Sequence, residues 1–517
     1  MKFAKKLFAA LLATLMIVGM LATTAMAEET TYTIKVFSEH AEHSYTAYQI
    51  FSGKLSGSVL TDIAWGDGVS TDGQAALQTA YGKANASGVA GTLSETTAPL
   101  FAKNVAQYLV NGKTGTYDSG SKEFEISNLQ AGYYLIKETS ANLNGTGHAY
   151  STHILYVVNN VEVSPKSGIP TLSKEVKLAG TEAYKDAISA TVGDTVYFKL
   201  TAGLHTYAKD YSKYYFSFED TIPTGLTYES VELFVQSGTT TYPVSNTFYT
   251  VNETGNLLTV TIQDIHSMIH AATGSPTTLG DKILVEIETT VNEDVEIGSA
   301  GNINTAVLRF ANDPNENYSG SGVPASLGVT QEAQAAVYSY QINVTKVDAA
   351  SASTKLEGAE FIIGYNNGDD TYTWYLDSDK DGVVDGTTNS DESATRFVSD
   401  ENGVMNVKGL KSGIYHIREK VAPAQYNLLT SDVVVVYTGA LSQDTGLLNA
   451  LNITSASGVS HYSTDLTTGS INLTVANTKG ATLPSTGGIG TTIFYIIGGV
   501  LVLGAAAAFT MKKRNEA

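Results

Sequence analysis

Lysines, carboxylates and asparagines that seldom belong inside a protein fall on inward faces of this 517-residue chain. Successive side chains of a β-strand point to opposite faces, so residues two apart share a side. In the stretch YQINVTKVD, Lys346 lies with Ile342 and Val344. In SINLTVAN, Asn477 lies with Ile471, Leu473 and Val475, and in YHIRE, Glu419 lies with Tyr415 and Ile417. An earlier part of the chain repeats the trio with aspartate as the acid. There Lys174 aligns with Leu172 and Val176, Asp220 with Phe216 and Phe218, and Asn304 with Ala306, Leu308 and Phe310.

Desolvation penalises whichever protonation state is charged, so a buried lysine is driven toward its neutral amine and a buried carboxylic acid toward its protonated form. A neutral amine is a nucleophile. With Asp220 or Glu419 as proton shuttle, the amine attacks the side-chain carbonyl of asparagine, ammonia leaves, and an isopeptide bond remains. The expected pairs are Lys174–Asn304 and Lys346–Asn477, each closed once and with no metal or cofactor. The same spacing equally suits a hydrogen-bonded buried charge pair, and spacing alone leaves both readings open. Each bond would tie residues about 130 apart, which the chain-entropy description of a cross-link values at roughly 5 kcal/mol.

A weak internal repeat adds a third acid. Leu129 to Glu138 and Leu410 to Glu419 share the pattern Leu-x-x-Gly-x-Tyr-x-Ile-x-Glu, so Glu138 also faces inward, with Tyr134 and Ile136. Its partners are ill defined. Lys35 shares a face only with Thr33 and Phe37, and Asn159 and Asn160 compete for the acceptor role, so the other expectation for Glu138 is a hydrogen-bonded structural acid. A different lysine points outward: in VEVSPKSG, Val161 and Val163 take one face, and Glu162, Ser164 and Lys166 the other.

The elements that hold these residues are mostly strands. Short alternating runs rich in Thr, Val, Tyr and Ile, separated by Gly, Asn, Asp and Ser turns, predict an all-β protein of tandem sandwiches. Helical periodicity is confined to DGQAALQTAYGKANA, TAPLFAKNVAQYLVNG and IQDIHSMIHAA. Linker punctuation at SPKSGIPT and around GSGVPASLGVTQEAQAAVYSYQ divides the chain into residues 28–168, 169–336 and 337–480.

The ends set the compartment. Lys2, Lys5 and Lys6 precede an apolar run and small residues at Ala25 and Ala27, so residues 1–27 read as an export signal. Within residues 481–517, the apolar stretch TTIFYIIGGVLVLGAAAAFT has the roughly twenty residues a bilayer crossing needs and is stopped by Lys512, Lys513 and Arg514. The net charge of −20 argues against nucleic acid as a partner, and the absence of cysteine excludes disulfides as staples.

The sequence LPSTG (Leu483, Pro484, Ser485, Thr486, Gly487), followed by the apolar span and basic tail, resembles the sorting signal of Gram-positive wall-anchored proteins. FEDTIPTGLTY with NTAVLRFANDP resembles the middle domain of sortase-assembled backbone pilins, YHIREKVAPAQYN the E-box of collagen-adhesin B type domains, and AYQIFSG with WGDGV the first domain of the same pilins. The resemblance implies three Ig-like or collagen-adhesin B type sandwiches. It also implies a structural, non-enzymatic shaft subunit of a covalent pilus on a Gram-positive cell. A pilin sortase of class C would cleave after Thr486, hold it as a thioester and pass it to Lys166 of the next, identical subunit. A housekeeping sortase would attach the polymer to peptidoglycan, with tip or basal pilins as companions; the surface or ligand met in adhesion and colonisation is not specified. Ser164 and Ser167 stand where the pilin motif has Tyr and Asn. The rival expectation is a monomeric wall-anchored adhesin, which has no use for Lys166 as an acceptor.

Two further patterns carry less. Asp377, Asp379, Asp381 and Asp385 occupy the first, third, fifth and ninth positions of a calcium-loop pattern with Gly382 at the turn, but Thr388 stands where the bidentate glutamate belongs, which favours a plain acidic turn. His266 and His270 are four apart on a helix without the glutamate of a metalloprotease motif. No nucleophile elbow, phosphate loop or dinucleotide fingerprint occurs, so multi-turnover catalysis has no support.

Overall fold

A computed structural model describes residues 30–57, 59–140, 142–157, 160–368, 371–481 and 489–515. The expected export signal, Asn159 and the LPSTG pentapeptide lie outside the described residues. Strands dominate and are arranged as three successive pairs of sheets, as the alternation predicts.

In the first domain one sheet runs Thr116–Asp118, Glu123–Leu129, Tyr32–Phe37, Val161–Val163, and the other Val59–Trp65, Tyr45–Ser56, Gly132–Glu138, Ile154–Val157. Their inner faces enclose Ile34, Val36, Tyr45, Phe124, Ile126 and Ile136. The outer face of the second sheet is covered by helices, with Phe101, Val89 and Leu77 packed on Phe51 and Leu135. Thr71–Tyr81 begins where the Ser70 hydroxyl accepts from the Gly73 amide, and ends because Gly82 takes φ 61°, a backbone that side chains disfavour. Beyond it the chain forms a separate turn, Ala86–Ala90, capped by Asn85, rather than continuing the first helix.

In the middle domain, Thr171–Leu178, Thr195–Gly203, Lys282–Val291, Leu226–Ser237 and Thr240–Pro243 form one sheet. Ala187–Ser189, Ala333–Tyr338, Asn302–Ala311, Phe216–Thr221, Leu257–Ile262 and Thr250–Thr254 form the main path of the other. Ala333–Tyr338 pairs antiparallel with Asn302–Ala311 as far as Val337 and parallel with Ala187–Ser189 at Tyr338, so this strand runs two residues past the joint expected after residue 336. The Gly and Pro punctuation of the linker stretch ends at Gly328, before this strand begins. The third domain opens with Tyr340–Asp348, which lies parallel to the final strand Ser470–Asn477. Its second sheet includes Glu360–Gly368, Gly413–Val421, Val433–Leu441 and Leu448–Ser457. One continuous apolar core joins middle and third domains, from Phe198 and Phe218 to Tyr340, Tyr415 and Val475.

Candidate functional site: buried lysines, an exposed lysine and the anchor

Strand parity places the third-domain trio as the sequence predicts. Lys346 and Asn477 sit on adjacent parallel strands, with Asp348 opposite Asn477 in register, and Glu419 reaches them from the facing sheet. Lys346 is fully buried, Asn477 and Glu419 nearly so. The Lys346 amine contacts Asn477 Oδ1 and lies 3.1 Å from Glu419 Oε1. Asn477 Nδ2 donates to Glu419 Oε1 at 2.9 Å, to Oε2 at 3.0 Å and to the Asn427 carbonyl at 3.0 Å. Glu419 Oε2 also accepts from the Leu429 amide at 2.8 Å, which fixes the carboxyl plane. One carboxyl thus touches both the Lys346 amine and the Asn477 amide nitrogen. The Phe361 ring, 5.3 Å from Lys346 Nζ, walls the amine from water, and burial pushes its pKa down against the pull of Glu419.

The middle-domain trio is drawn from both sheets. Lys174 extends from Thr171–Leu178, while Asp220 and Asn304 come from neighbouring antiparallel strands opposite. All three are buried, and the Lys174 amine contacts Asp220 Oδ2. Burial drives the Lys174 pKa down and the Asp220 pKa up, the Coulombic attraction of the pair opposing both shifts. The Asn304 carboxamide lies beside Asp220, near enough to hold the Asp220 pKa down somewhat, but neither its oxygen nor its nitrogen makes a hydrogen bond of regular geometry. An unpaired buried amide costs about 1–3 kcal/mol. Phe198, 5.2 Å from Lys174 Nζ, repeats the aromatic wall. The paired aromatics and the Asn427 carbonyl escaped the sequence reading; inward parity of Phe198 and Phe361 was the available signal for the first two.

The first domain does not complete a trio among the described residues. Glu138 is buried, but its Oε1 meets His43 Nδ1 at 2.6 Å and accepts from the Ser140 hydroxyl at 2.8 Å, while Oε2 accepts from the Ser151 amide at 2.6 Å. Lys35 turns outward to Glu123 and Glu125 at 3.1 and 3.3 Å. Asn160 Oδ1 accepts from the Thr33 amide. The proton-shuttle expectation for Glu138 is therefore corrected to a hydrogen-bonded structural acid, because a histidine and two serines occupy the place of the lysine.

Lys166 is exposed, as alternation along Val161–Val163 and the following residues requires. Its carbonyl accepts from the Thr152 amide at 3.2 Å, which holds the backbone while leaving the side chain in a cleft of about 1170 Å³ between first and middle domains. Ser164, Lys103, Lys209, Asp210 and the apolar Leu100 share that cleft.

The acidic loop is a turn whose carboxylates are taken by its own backbone. Asp377 accepts from the Lys380 and Gly382 amides at 2.7 and 3.1 Å, Asp381 from Val383 at 2.7 Å, and Asp385 from Ser378 at 2.6 Å. Asp377, Asp379 and Asp381 approach one another, and Asp385 is outside their cluster. Gly382, at φ 87°, supplies the sharp bend. His266 and His270 lie on Ile265–Thr273, where His266 Nδ1 pairs with the Thr277 hydroxyl. At the C-terminus, helix Ile489–Asn515 contains Ile493–Met511, a 19-residue span of mean hydropathy 2.2, long and apolar enough to cross a bilayer.

These features define a chain of tandem β domains with a wall-anchoring end. Residues 475–517 match the LPXTG cell wall anchor motif, and residues 340–445 match the SpaA prealbumin-like fold domain. The chain is a cell-wall-anchored surface protein with pilin-like tandem domains. Among known proteins it is similar to the trypsin-resistant surface T6 protein of Streptococcus pyogenes serotype M6, at 23% identity over 438 residues, covering 73% of this chain and 75% of that one. In fold it resembles the three-domain T6 backbone pilin of the same organism, with a TM-score of 0.55 and 16% identity over 88% of this chain and 100% of the other. The full-length major pilin SpaD of Corynebacterium diphtheriae aligns at 17% identity and a TM-score of 0.47, over 87% of this chain and 98% of that one.

Proposed function

We propose that this protein is the shaft subunit of a covalent surface pilus, polymerised by a class C sortase that joins Thr486 of one copy to Lys166 of the next. The observation that carries the reading is the contrast among its lysines. Lys174 and Lys346 are sealed beside carboxyl and carboxamide groups, whereas Lys166 stands exposed in a cleft, downstream of a paired strand and preceded by Pro165. An enzyme can reach the last and not the first two. In the joining step the sortase thioester to the Thr486 carbonyl breaks, the Lys166 amine forms an amide, and its proton passes to the departing thiolate. A housekeeping sortase then transfers the finished polymer to peptidoglycan, and the fibre supports adhesion.

The buried trios serve this function by closing each domain on itself. In the third domain the Lys346 amine attacks Asn477 Cγ while Glu419 takes protons from the amine and returns one to Nδ2, so that the C–N bond of the carboxamide breaks and ammonia departs. Asp220 performs the same transfer for Lys174 and Asn304, and the reaction removes the unpaired amide nitrogen of Asn304. In the third domain the bond joins first and last strands, so a pull along the chain bypasses that core. Wall extracts of cells carrying the protein are expected to give a high-molecular-weight ladder that survives boiling in detergent and disappears with Lys166→Ala. A single band unaffected by that substitution selects a monomeric wall-anchored adhesin instead.

A further inference from the structure

The Pro165–Gly168 segment has two sides. Lys166 lines the interdomain cleft, while Pro165 and Ser167 line a second cavity of about 330 Å³ together with His40, His43 and His148. The chain has 9 histidines in 517 residues, and three of them converge here, which a randomly solvated surface does not give. His40 Nδ1 lies 3.2 Å and His148 Nε2 3.3 Å from the same Glu42 oxygen, Oε1. The His40 and His148 rings meet edge to face with centroids 4.5 Å apart, and the ligand atoms of these three residues fall within 4.8 Å of one another. Nitrogen and oxygen ligands about 2.0–2.2 Å from a tetrahedral zinc ion stand roughly 3.3–3.6 Å apart. The His148–Glu42 separation of 3.3 Å falls at that spacing and the His40–Glu42 separation of 3.2 Å just below it.

A fourth group stands close by. The His43 ring is 5.3 Å from His148, and its Nδ1 is held at 2.6 Å by buried Glu138. A carboxylate on one imidazole nitrogen directs the lone pair to the other, the arrangement that orients metal-binding histidines.

We infer that His40, Glu42 and His148 form a binding site for one divalent transition ion of the zinc class, with His43 as the nearest further imidazole. Two imidazoles and a carboxylate suit zinc and not calcium or magnesium, which take oxygen ligands. The site goes beyond the polymerisation reading and does not depend on it. Its ligands come from two segments with different attachments. His40 and Glu42 follow the first strand, whereas His148 belongs to a loop bound to the middle domain: Asn312 Nδ2 donates to the Leu143 and His148 carbonyls at 3.0 Å, and the Val329 amide to Thr146 at 2.9 Å. A bound ion therefore pins the first strand's exit to the segment docked on the next domain, beside the linker that carries Lys166.

The test uses the full chain in detergent, stripped with a chelator and titrated with zinc chloride alone by calorimetry, with cobalt(II) absorption as a second readout. One ion per chain is expected, with the d–d bands of low-coordinate cobalt. His40→Ala and His148→Ala should each weaken binding at least about 100-fold, beyond the roughly tenfold to 100-fold typical of outer-shell changes. His40 is half exposed, so His40→Ala should leave the chelator-treated protein's circular dichroism and melting temperature unchanged. Asp379→Asn with Asp381→Asn should leave zinc affinity unaltered. Absence of micromolar binding overturns the inference, as does stoichiometric binding that survives both histidine substitutions or is lost with the aspartate pair.

Discussion

Replacing Glu419 with glutamine keeps the shape of the buried trio and removes the group that can accept and return a proton. The expected consequence is that Lys346 and Asn477 remain unjoined. The two residues are 131 apart in sequence, so the chain-entropy relation values the lost bond at about 5 kcal/mol. If the third domain melts alone, about 140 residues at roughly 2.1 cal/mol/K each convert that loss into a fall of about 17 °C. Middle and third domains share one apolar core, and if they melt together as about 310 residues, the same loss gives about 8 °C. Calorimetry with intact-mass analysis checks both halves: the variant should be heavier than expected from the substitution by one retained ammonia and should melt at least about 8 °C lower. A variant that keeps the wild-type ammonia deficit, or that loses the bond without a fall in melting temperature, refutes the reasoning.

Glu138→Gln should lower thermal stability through its contacts with His43, Ser140 and Ser151, yet leave the ammonia count unchanged, as intact mass and calorimetry would read. His153 and His205, each brought by burial from 6.5 to about 4, give a pH dependence. The unfolded chain takes up these protons near pH 6.5 and the fold only near 4, so stability is full above about 6.5 and falls as pH drops toward 4. At pH 5 the loss is about 2 kcal/mol per histidine. His153→Phe should flatten part of that dependence, because His153 Nδ1 has no partner to lose; an unchanged pH profile of the melting temperature contradicts the assignment. Gly298→Ala, with φ at 96° and a new Cβ 2.3 Å from the Thr467 carbonyl, should loosen the middle–third joint, read as faster proteolysis there.

Much of the site was legible because burial and parity are the same information in a sandwich. Lys174, Asp220, Asn304, Lys346, Glu419 and Asn477 were each placed inward by neighbours two residues away, and each is buried. Parity does not report what else reaches a buried acid. Glu138 was placed inward correctly, but the occupants of its pocket, His43, Ser140 and Ser151, include groups from turns whose direction no alternation encodes. Composition marks the second joint poorly because Ala333–Tyr338 and Tyr340–Asp348 are nearly continuous strands that belong to different sheets. The periodic stretch DGQAALQTAYGKANA runs past the helix end at Tyr81 because the left-handed Gly82 and the three residues after it do not interrupt its alanine-rich composition. The histidine cavity was invisible for a related reason, since His40 and His148 are more than a hundred residues apart and meet only when strand Tyr32–Phe37 and the loop before Ile154–Val157 are side by side.

The most direct measurement is the mass of the mature protein followed by peptide mapping. The account predicts a deficit of two ammonia molecules and two branched peptides, one joining Lys174 to Asn304 and one joining Lys346 to Asn477. A mass equal to the summed residues, with Asn304 and Asn477 recovered in linear peptides, contradicts it.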